Sequence, residues 1–253
     1  KNEAENVLTM MRSVESLWDY FVIGFDNTSD DGTEALVKEY LQGRRGLYYH
    51  FTWRNDFSWA RNLYLDIAEG EFPDAKYALI MDGDDVLHPI SRRLILAWKN
   101  DPNDQYTILN SYVYLDYDAY GIPMLFYPRV ALIRNLPRIR FKFASHNVIE
   151  GEGDEQLLVR DFIVLHRQAK NKRAMRERQR VEMNLPNLEA QAEGSDEPAR
   201  PLFYEGNTRM DSGDFEGAER AFTRYLERAT WHEERYQALH HLSSLRMIAG
   251  DAT

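Results

Sequence analysis

The chain has no cysteine among its 253 residues. Disulfides, thiolate nucleophiles and cysteine-ligated zinc are thereby excluded. It also lacks any apolar run approaching the roughly 20 residues that span a bilayer, and it shows no leader of signal-peptide type. Positive charge is scarce: 31 Lys and Arg stand against 41 Asp and Glu, a net charge of −10. A surface of that sign repels phosphate backbones, which argues against nucleic acid as a partner. The expectation is a soluble, cytoplasmic protein with no membrane span. Apolar material, by contrast, is ample, with 43% hydrophobic and 13% aromatic residues. That suffices for one large domain or two modest ones.

From Asn2 to Asp85 the pattern alternates helix and strand. Val7, Leu8, Met11 and Val14 fall at helical spacing, and Tyr20–Phe25 is a short apolar run that ends at Asp26. The polar stretch Asn27–Thr33 supplies caps for a helix carrying Leu36, Val37, Tyr40 and Leu41. Leu47–Phe51 reads as a strand, and Phe57, Ala60, Leu63, Tyr64 and Ile67 mark a helix. Tyr77–Met81 reads as another buried strand. Alternation with short loops predicts a parallel, doubly wound α/β sheet. The segments Tyr106–Leu115, Met124–Ile133 and Gln156–Leu165 are aromatic and β-rich, predicting a mixed or antiparallel extension.

The strand at Tyr77–Met81 stops at Asp82-Gly83-Asp84-Asp85. Unpaired carboxylates at the mouth of a core strand are costly, so they call for a compensating partner. Oxygen-rich clusters suit a hard divalent cation such as Mg²⁺ or Mn²⁺, commonly shared with substrate phosphates. In open α/β sheets ligands bind outside the carboxyl ends of strands. A second reading stands beside this one: Asp-Gly-Asp-Asp is also good turn and helix-cap chemistry.

Downstream, Lys170–Arg180 is basic and helix-prone, which reads first as a solvated helix face. Gly194–Pro198 reads as a linker, and all that follows is helical in pattern. Leu202, Gly206, Gly213-Asp214, Ala218, Phe222 and Leu226 resemble a tetratricopeptide repeat, in which small residues let two antiparallel helices approach closely. Leu239, Leu242 and Gly250-Asp251 resemble the first helix of a second copy. The spacing from Gly213 to Gly250 is 37 residues, against a usual period of about 34. The expected divisions are 1–168, a basic helix and linker over 169–197, and a repeat tail over 198–253.

Four segments taken in order, Lys1-Asn2-Glu3, Asp26–Thr33, Trp53–Asn62 and Leu79–Asp85, resemble the family 2 glycosyltransferases of GT-A fold. The branch that fits is the bacterial one whose catalytic domain precedes tetratricopeptide repeats. In that family a strand precedes the Lys-Asn-Glu segment, so the resemblance implies a missing first strand and a truncated tail. It also implies a nucleotide-sugar donor, UDP-sugar foremost, with Mn²⁺ or Mg²⁺ against the diphosphate leaving group. Asp84 is then the metal ligand, Asp82 lies beside the ribose or the metal, and Asp85 stands behind them. Asp26 matches the carboxylate that meets the base, and Asn2 and Glu3 lie where the first loop meets the nucleoside. Arg61 either pairs with a phosphate or braces the aspartates. His166, after the strand Phe162–Leu165, either completes the metal shell or is a plain strand-end histidine. His146 matches the histidine of the family's His-Glu segment, although Asn147 follows it here, which puts the acceptor-side role of that segment in question.

Inversion at the anomeric carbon needs a base for the acceptor proton. Glu150, Glu152, Asp154 and Glu155 form an acidic segment that could supply it, and no spacing rule selects among them. The Gln/Glu/Asp-x-x-Arg-Trp motif of processive synthases is missing, which favours a non-processive transferase acting on a glycan, peptide or protein acceptor. The repeats would serve a protein partner or self-association. Two other classes remain: a nucleotidyltransferase on a similar fold, and a repeat-based scaffold with a degenerate transferase domain. His50, His88, His232, His240 and His241 are read as structural.

Overall fold

The computed structural model describes residues 1–100, 107–137, 139–150, 156–167, 173–194 and 199–250. The chain divides into two compact units. One comprises Lys1–Lys142 and Val148–Gln168, the other Phe143–Asn147 and Ala169–Thr253.

The first unit opens with a turn at Ala4–Asn6 and helix α1 (Val7–Ser13), so Lys1–Glu3 lies ahead of the helix. Strand β1 (Phe21–Asp26), helix α2 (Thr33–Tyr40) and strand β2 (Gly46–Phe51) follow, with β1 and β2 paired in parallel. Next come α3 (Phe57–Glu71), β3 (Tyr77–Leu79), β4 (Asp85–Leu87) and α4 (Pro89–Lys99). Strands β5 (Ile108–Tyr117), β6 (Pro123–Arg134), β7 (Arg140–Lys142), β8 (Val148–Glu150) and β9 (Gln156–His166) complete it. Local chemistry sets several boundaries. The Asp56 side chain accepts a bond from the Trp59 N–H at 2.8 Å and caps α3. Pro89 occupies the first turn of α4, where its missing N–H costs nothing.

Alternation in the sequence predicts one continuous sheet, and the sheet is instead in pieces. A five-stranded sheet runs β3-β6-β5-β9-β4, while β1-β2 and β7-β8 pair separately. Within the large sheet β5 and β9 are parallel and the other neighbours antiparallel. This is the mixed extension, and it captures β3, which joins it through β6 rather than pairing with β1. Between β1 and β3 lies a cavity of about 750 Å³ lined by Val22, Ile23, Leu65, Ala78 and Leu79.

One apolar cluster packs α1 and α4 on the large sheet through Val14, Ile95, Leu109, Val113, Leu132 and Val164. A second joins Leu65 of α3 to Ile108, Ile133, Phe141 and Ile149. Adjacent residues Leu132 and Ile133 enter different clusters, as the period-2 geometry of a strand requires. The large sheet is therefore held between two apolar layers, and the acid turn lies at its rim.

The second unit is helical: α5 (Arg173–Gly194), α6 (Ala199–Ser212), α7 (Phe215–Leu226) and α8 (His232–Ala249). Gly213 and Gly250 adopt φ of 83° and 84°, ending α6 and α8 in the left-handed region that glycine reaches without strain. A Cβ at Gly206 would sit 2.6 Å from the Phe222 ring, so only glycine lets α6 and α7 close to this distance. Leu202, Ala218 and Phe222 are buried in the shared core. Residues 195–198, the centre of the expected linker, lie outside the described residues.

Candidate functional site

Two strand registers converge on the acid turn. The β3–β6 register pairs Leu79 with Leu132, and the Ile80 N–H continues it to the Ala131 carbonyl at 2.7 Å. Two residues before Ala131, β6 carries Arg129, whose side chain reaches the turn. The β4–β9 register pairs Asp85 directly with His166. The turn itself closes with an Asp85 N–H to Asp82 carbonyl bond at 3.1 Å. In return, Asp85 Oδ2 accepts the Asp82 N–H at 2.8 Å.

Asp85 is the hub. Its residue exposure is 0%. Oδ1 accepts from His166 Nδ1 at 3.1 Å, and the Arg129 guanidinium reaches both Asp85 oxygens. Arg129 Nη1 also bonds Asp82 Oδ2 at 3.0 Å. Asp84 Oδ1 lies 3.6 Å from His166 Nδ1, and the Asp84 carbonyl accepts from the Arg167 N–H at 2.8 Å. Arg61 Nη2 stands 3.7 Å from Asp82 Oδ2, with its guanidinium over the Phe141 ring. Asp84 is buried, whereas the Asp82 side chain is 45% exposed.

The electrostatics follow from this packing. Burial works to raise the Asp85 carboxyl, but the bonds from His166 and the Arg129 guanidinium outweigh it and hold the group below the usual carboxylate range. Burial works to lower His166, and the Asp85 bond with the Asp84, Asp85 and Asp82 charges raises it instead. Burial opposes the Arg129 charge as well, and Asp82 and Asp85 more than restore it. One oxygen or nitrogen from each of Asp84, Asp85 and His166 can be chosen so that all lie within 4.8 Å of one another. A carboxylate and imidazole donor set of this kind suits Mn²⁺ or a similar divalent ion.

The residues expected at the nucleoside end, Asn2, Glu3 and Asp26, are placed as follows. Asn2, at φ 56°, clasps the loop after β1: its N–H bonds Ser29 Oγ at 3.0 Å, Oδ1 accepts the Asp30 N–H at 3.0 Å, and Nδ2 bonds Asp30 Oδ1 at 2.8 Å. The Glu3 N–H bonds Thr33 Oγ1 at 2.9 Å. Glu3 also packs on Gly83, where an added Cβ would meet Glu3 Cγ at 3.0 Å. Lys1–Glu3 therefore touches both the β1 loop and the acid turn. Asp26 Oδ1 accepts from the N–H and hydroxyl of Thr28, each at 2.9 Å.

The remaining predicted residues lie elsewhere. His146 belongs to the second unit, where its ring stacks on Tyr204 at 3.9 Å between centroids. In the same segment, the Ser145 hydroxyl bonds Asn184 Oδ1 at 3.1 Å. Glu150 ends β8, its backbone paired with Arg140. Glu152, Asp154 and Glu155 lie outside the described residues. Sequence reading misses Arg129 altogether. Its one signal is a charged residue immediately before the apolar run Val130–Ile133.

The α/β unit thus carries an Asp-Asp-His group at strand ends beside a clasped loop. Residues 1–153 match the family described as Glycosyl transferase family 2. The chain belongs to that family, and its first unit is a glycosyltransferase domain. It is also similar to a curated TPR repeat-containing protein of Synechococcus elongatus, at 26% identity over 268 residues. That match covers 99% of this chain and 61% of the relative, so the chain spans about three fifths of the relative's length. No described helix is long and apolar enough to cross a membrane.

Proposed function

We propose that this chain is a metal-dependent inverting glycosyltransferase that moves a sugar from a UDP-sugar to an acceptor hydroxyl or other nucleophile. The observation that carries the reading is the Asp84–His166 pair beside Asp85 in a family 2 chain. The donor set fits the cation that the family implies: Asp84 offers a hard carboxylate oxygen and His166 an imidazole nitrogen. Asp82, half-exposed, is the carboxylate that faces ribose or completes the shell. When bound, the divalent ion neutralises charge developing on the diphosphate as the glycosidic bond breaks.

The chain's own residues do the rest. Arg61 extends positive charge from Asp82 towards a phosphate. Asp26 uses Oδ1 within its loop, and its other oxygen accepts an imide N–H of a pyrimidine. The Asn2–Glu3 clasp shapes the nucleoside end. The acceptor oxygen attacks the anomeric carbon from the face opposite the leaving diphosphate, and its proton passes to a carboxylate of the Glu150–Glu155 segment. The helical unit recruits the glycan, peptide or protein acceptor, a partner, or a second copy.

Calorimetric titration of UDP and other nucleotides with and without Mn²⁺, followed by a hydrolysis screen of nucleotide sugars, tests the reading. UDP binding that tightens with Mn²⁺, together with slow donor hydrolysis, is expected. A chain that binds no nucleotide and is indifferent to Mn²⁺ would refute it.

A further inference from the structure

We propose that Arg129 and Asp85 are positioning residues that form a relay: Arg129 clamps Asp85, and Asp85 fixes the His166 ring so that Nε2, with the Asp84 carboxylate, meets the cation. The inference rests on the metal-dependent reading above and adds what holds the ligands in place.

Counting hydrogen bonds separates Asp85 from the ligands. A carboxylate offers about four acceptor directions. At Asp85 these go to the Asp82 N–H, His166 Nδ1 and two contacts from Arg129. A cation at Asp85 would have to displace a partner from a fully buried site. His166 Nδ1 lies 3.1 Å from Asp85 Oδ1, within hydrogen-bond distance, and 3.6 Å from Asp84 Oδ1, beyond it. A proton on that nitrogen leaves the ring's lone pair on Nε2, the arrangement by which carboxylates commonly orient metal-binding imidazoles.

Arg129 closes the relay from the other side. Its side chain is only 11% exposed, and its Nε is buried with no hydrogen-bond partner among the described residues. An arginine does not shed its proton to relieve such burial. The orphaned Nε shows that the guanidinium is placed for its two terminal nitrogens, both of which are spent on Asp82 and Asp85. The two registers that meet here come from separate strand pairs, so Arg129 ties the ends of β3 and β4 into one rigid turn. Without it, Asp85 would be a buried carboxylate held only by His166 and the Asp82 N–H, with its charge uncompensated.

Titrating Mn²⁺ into the whole chain tests this, with free Mn²⁺ followed by electron paramagnetic resonance and nitrogen coupling to the bound ion read by the pulsed form. The unsubstituted chain should show imidazole coupling, which His166→Ala removes. Arg129→Gln and Asp85→Asn should each weaken Mn²⁺ binding by about 10- to 100-fold, the usual range for such supporting partners. Arg129→Gln also strands a buried charge and lowers the melting temperature. The double variant Arg129→Gln/Asp85→Asn removes both charges, so its melting temperature recovers. Its Mn²⁺ binding should stay weak if the pair positions the ligands, and a merely structural pair would let it recover. Full-strength Mn²⁺ binding in Arg129→Gln or in the double variant overturns the relay and leaves the metal reading standing. Bound Mn²⁺ without nitrogen coupling in the unsubstituted chain also overturns the relay. No Mn²⁺ binding by the unsubstituted chain, at concentrations where UDP does bind, overturns the metal reading and the relay together.

Discussion

The acid turn and the α6–α7 hairpin both hold an arginine among carboxylates, by different means. Arg129 meets Asp82 and Asp85 across 47 and 44 residues of sequence, and Asp85 meets His166 across 81. Arg209 of α6 meets Glu205 and Asp214 four and five residues away, at 2.8 and 2.6 Å, and Glu189 of α5 across 20. The first network needs two strand ladders to reach correct register, because a slip of one residue turns every side chain to the other face. The second needs helical spacing, a glycine turn and the packing of one neighbouring helix. The long-range network is also buried, and buried ion pairs are poor stabilisers once desolvation is counted. A chain that builds one from three distant segments gains placement more than stability. The local network, at a helix start, gains stability and no evident chemistry.

The strongest way to break this contrast is to remove charge from the turn without removing packing. Asp84→Asn keeps the shape of a buried side chain and deletes a carboxylate among three. Metal-dependent donor turnover should fall at least about a hundredfold, the scale for losing one group that stabilises developing charge. The melting temperature should not fall, since like charges are being relieved. Stopped-time hydrolysis assays with Mn²⁺ beside a thermal melt would check both. Unchanged sugar transfer would remove Asp84 from the site.

Gly206→Val probes the other region. The added atoms would enter the Phe222 ring, which already stands 2.6 Å from an ideal Cβ. Overpacking of this kind costs about 1–3 kcal/mol, read as faster hydrogen exchange in α6 and α7. Mn²⁺ affinity should be unmoved. A parallel loss of Mn²⁺ binding would show that the two units are not energetically separate.

These regions also differ in how far the sequence discloses them. The acid turn is legible because an apolar run ending in three carboxylates is a local contradiction, visible within nine residues. The hairpin is legible because Gly206, Gly213-Asp214 and Ala218 are local demands of close helix packing. Arg129 is not legible, since its partner is set by the register of β6 against β3. Asp85 differs from Asp84 through Arg129 of β6, 44 residues away, and through β9, which delivers His166 from 81 residues away. Helix–strand alternation discloses the elements and their layers but not that β3 pairs with β6, because pairing depends on which edges meet rather than on pattern.

The smallest effect sharpens the contrast from the stability side. Asp214 caps α7, accepting the Gly217 N–H at 2.9 Å, and also receives Arg209. The backbone bond from Gly217 and then the Arg209 bond hold its carboxyl below the usual range, so the folded state binds that proton less readily than the unfolded chain. Its stabilisation is therefore present at neutral pH and is lost as pH falls below the unfolded carboxyl value towards the lower folded one. Asp214→Ala should cost about 1 kcal/mol at pH 7, the usual value of a lost cap. The difference from the unsubstituted chain should shrink in acid, as the native carboxyl itself becomes protonated. Paired urea melts at neutral and acidic pH would measure it. A penalty that holds constant across that range would mean that the capping oxygen as an acceptor, and not its charge, carries the effect. In that case the Arg209–Asp214 pair is as incidental to stability as exposed ion pairs usually are.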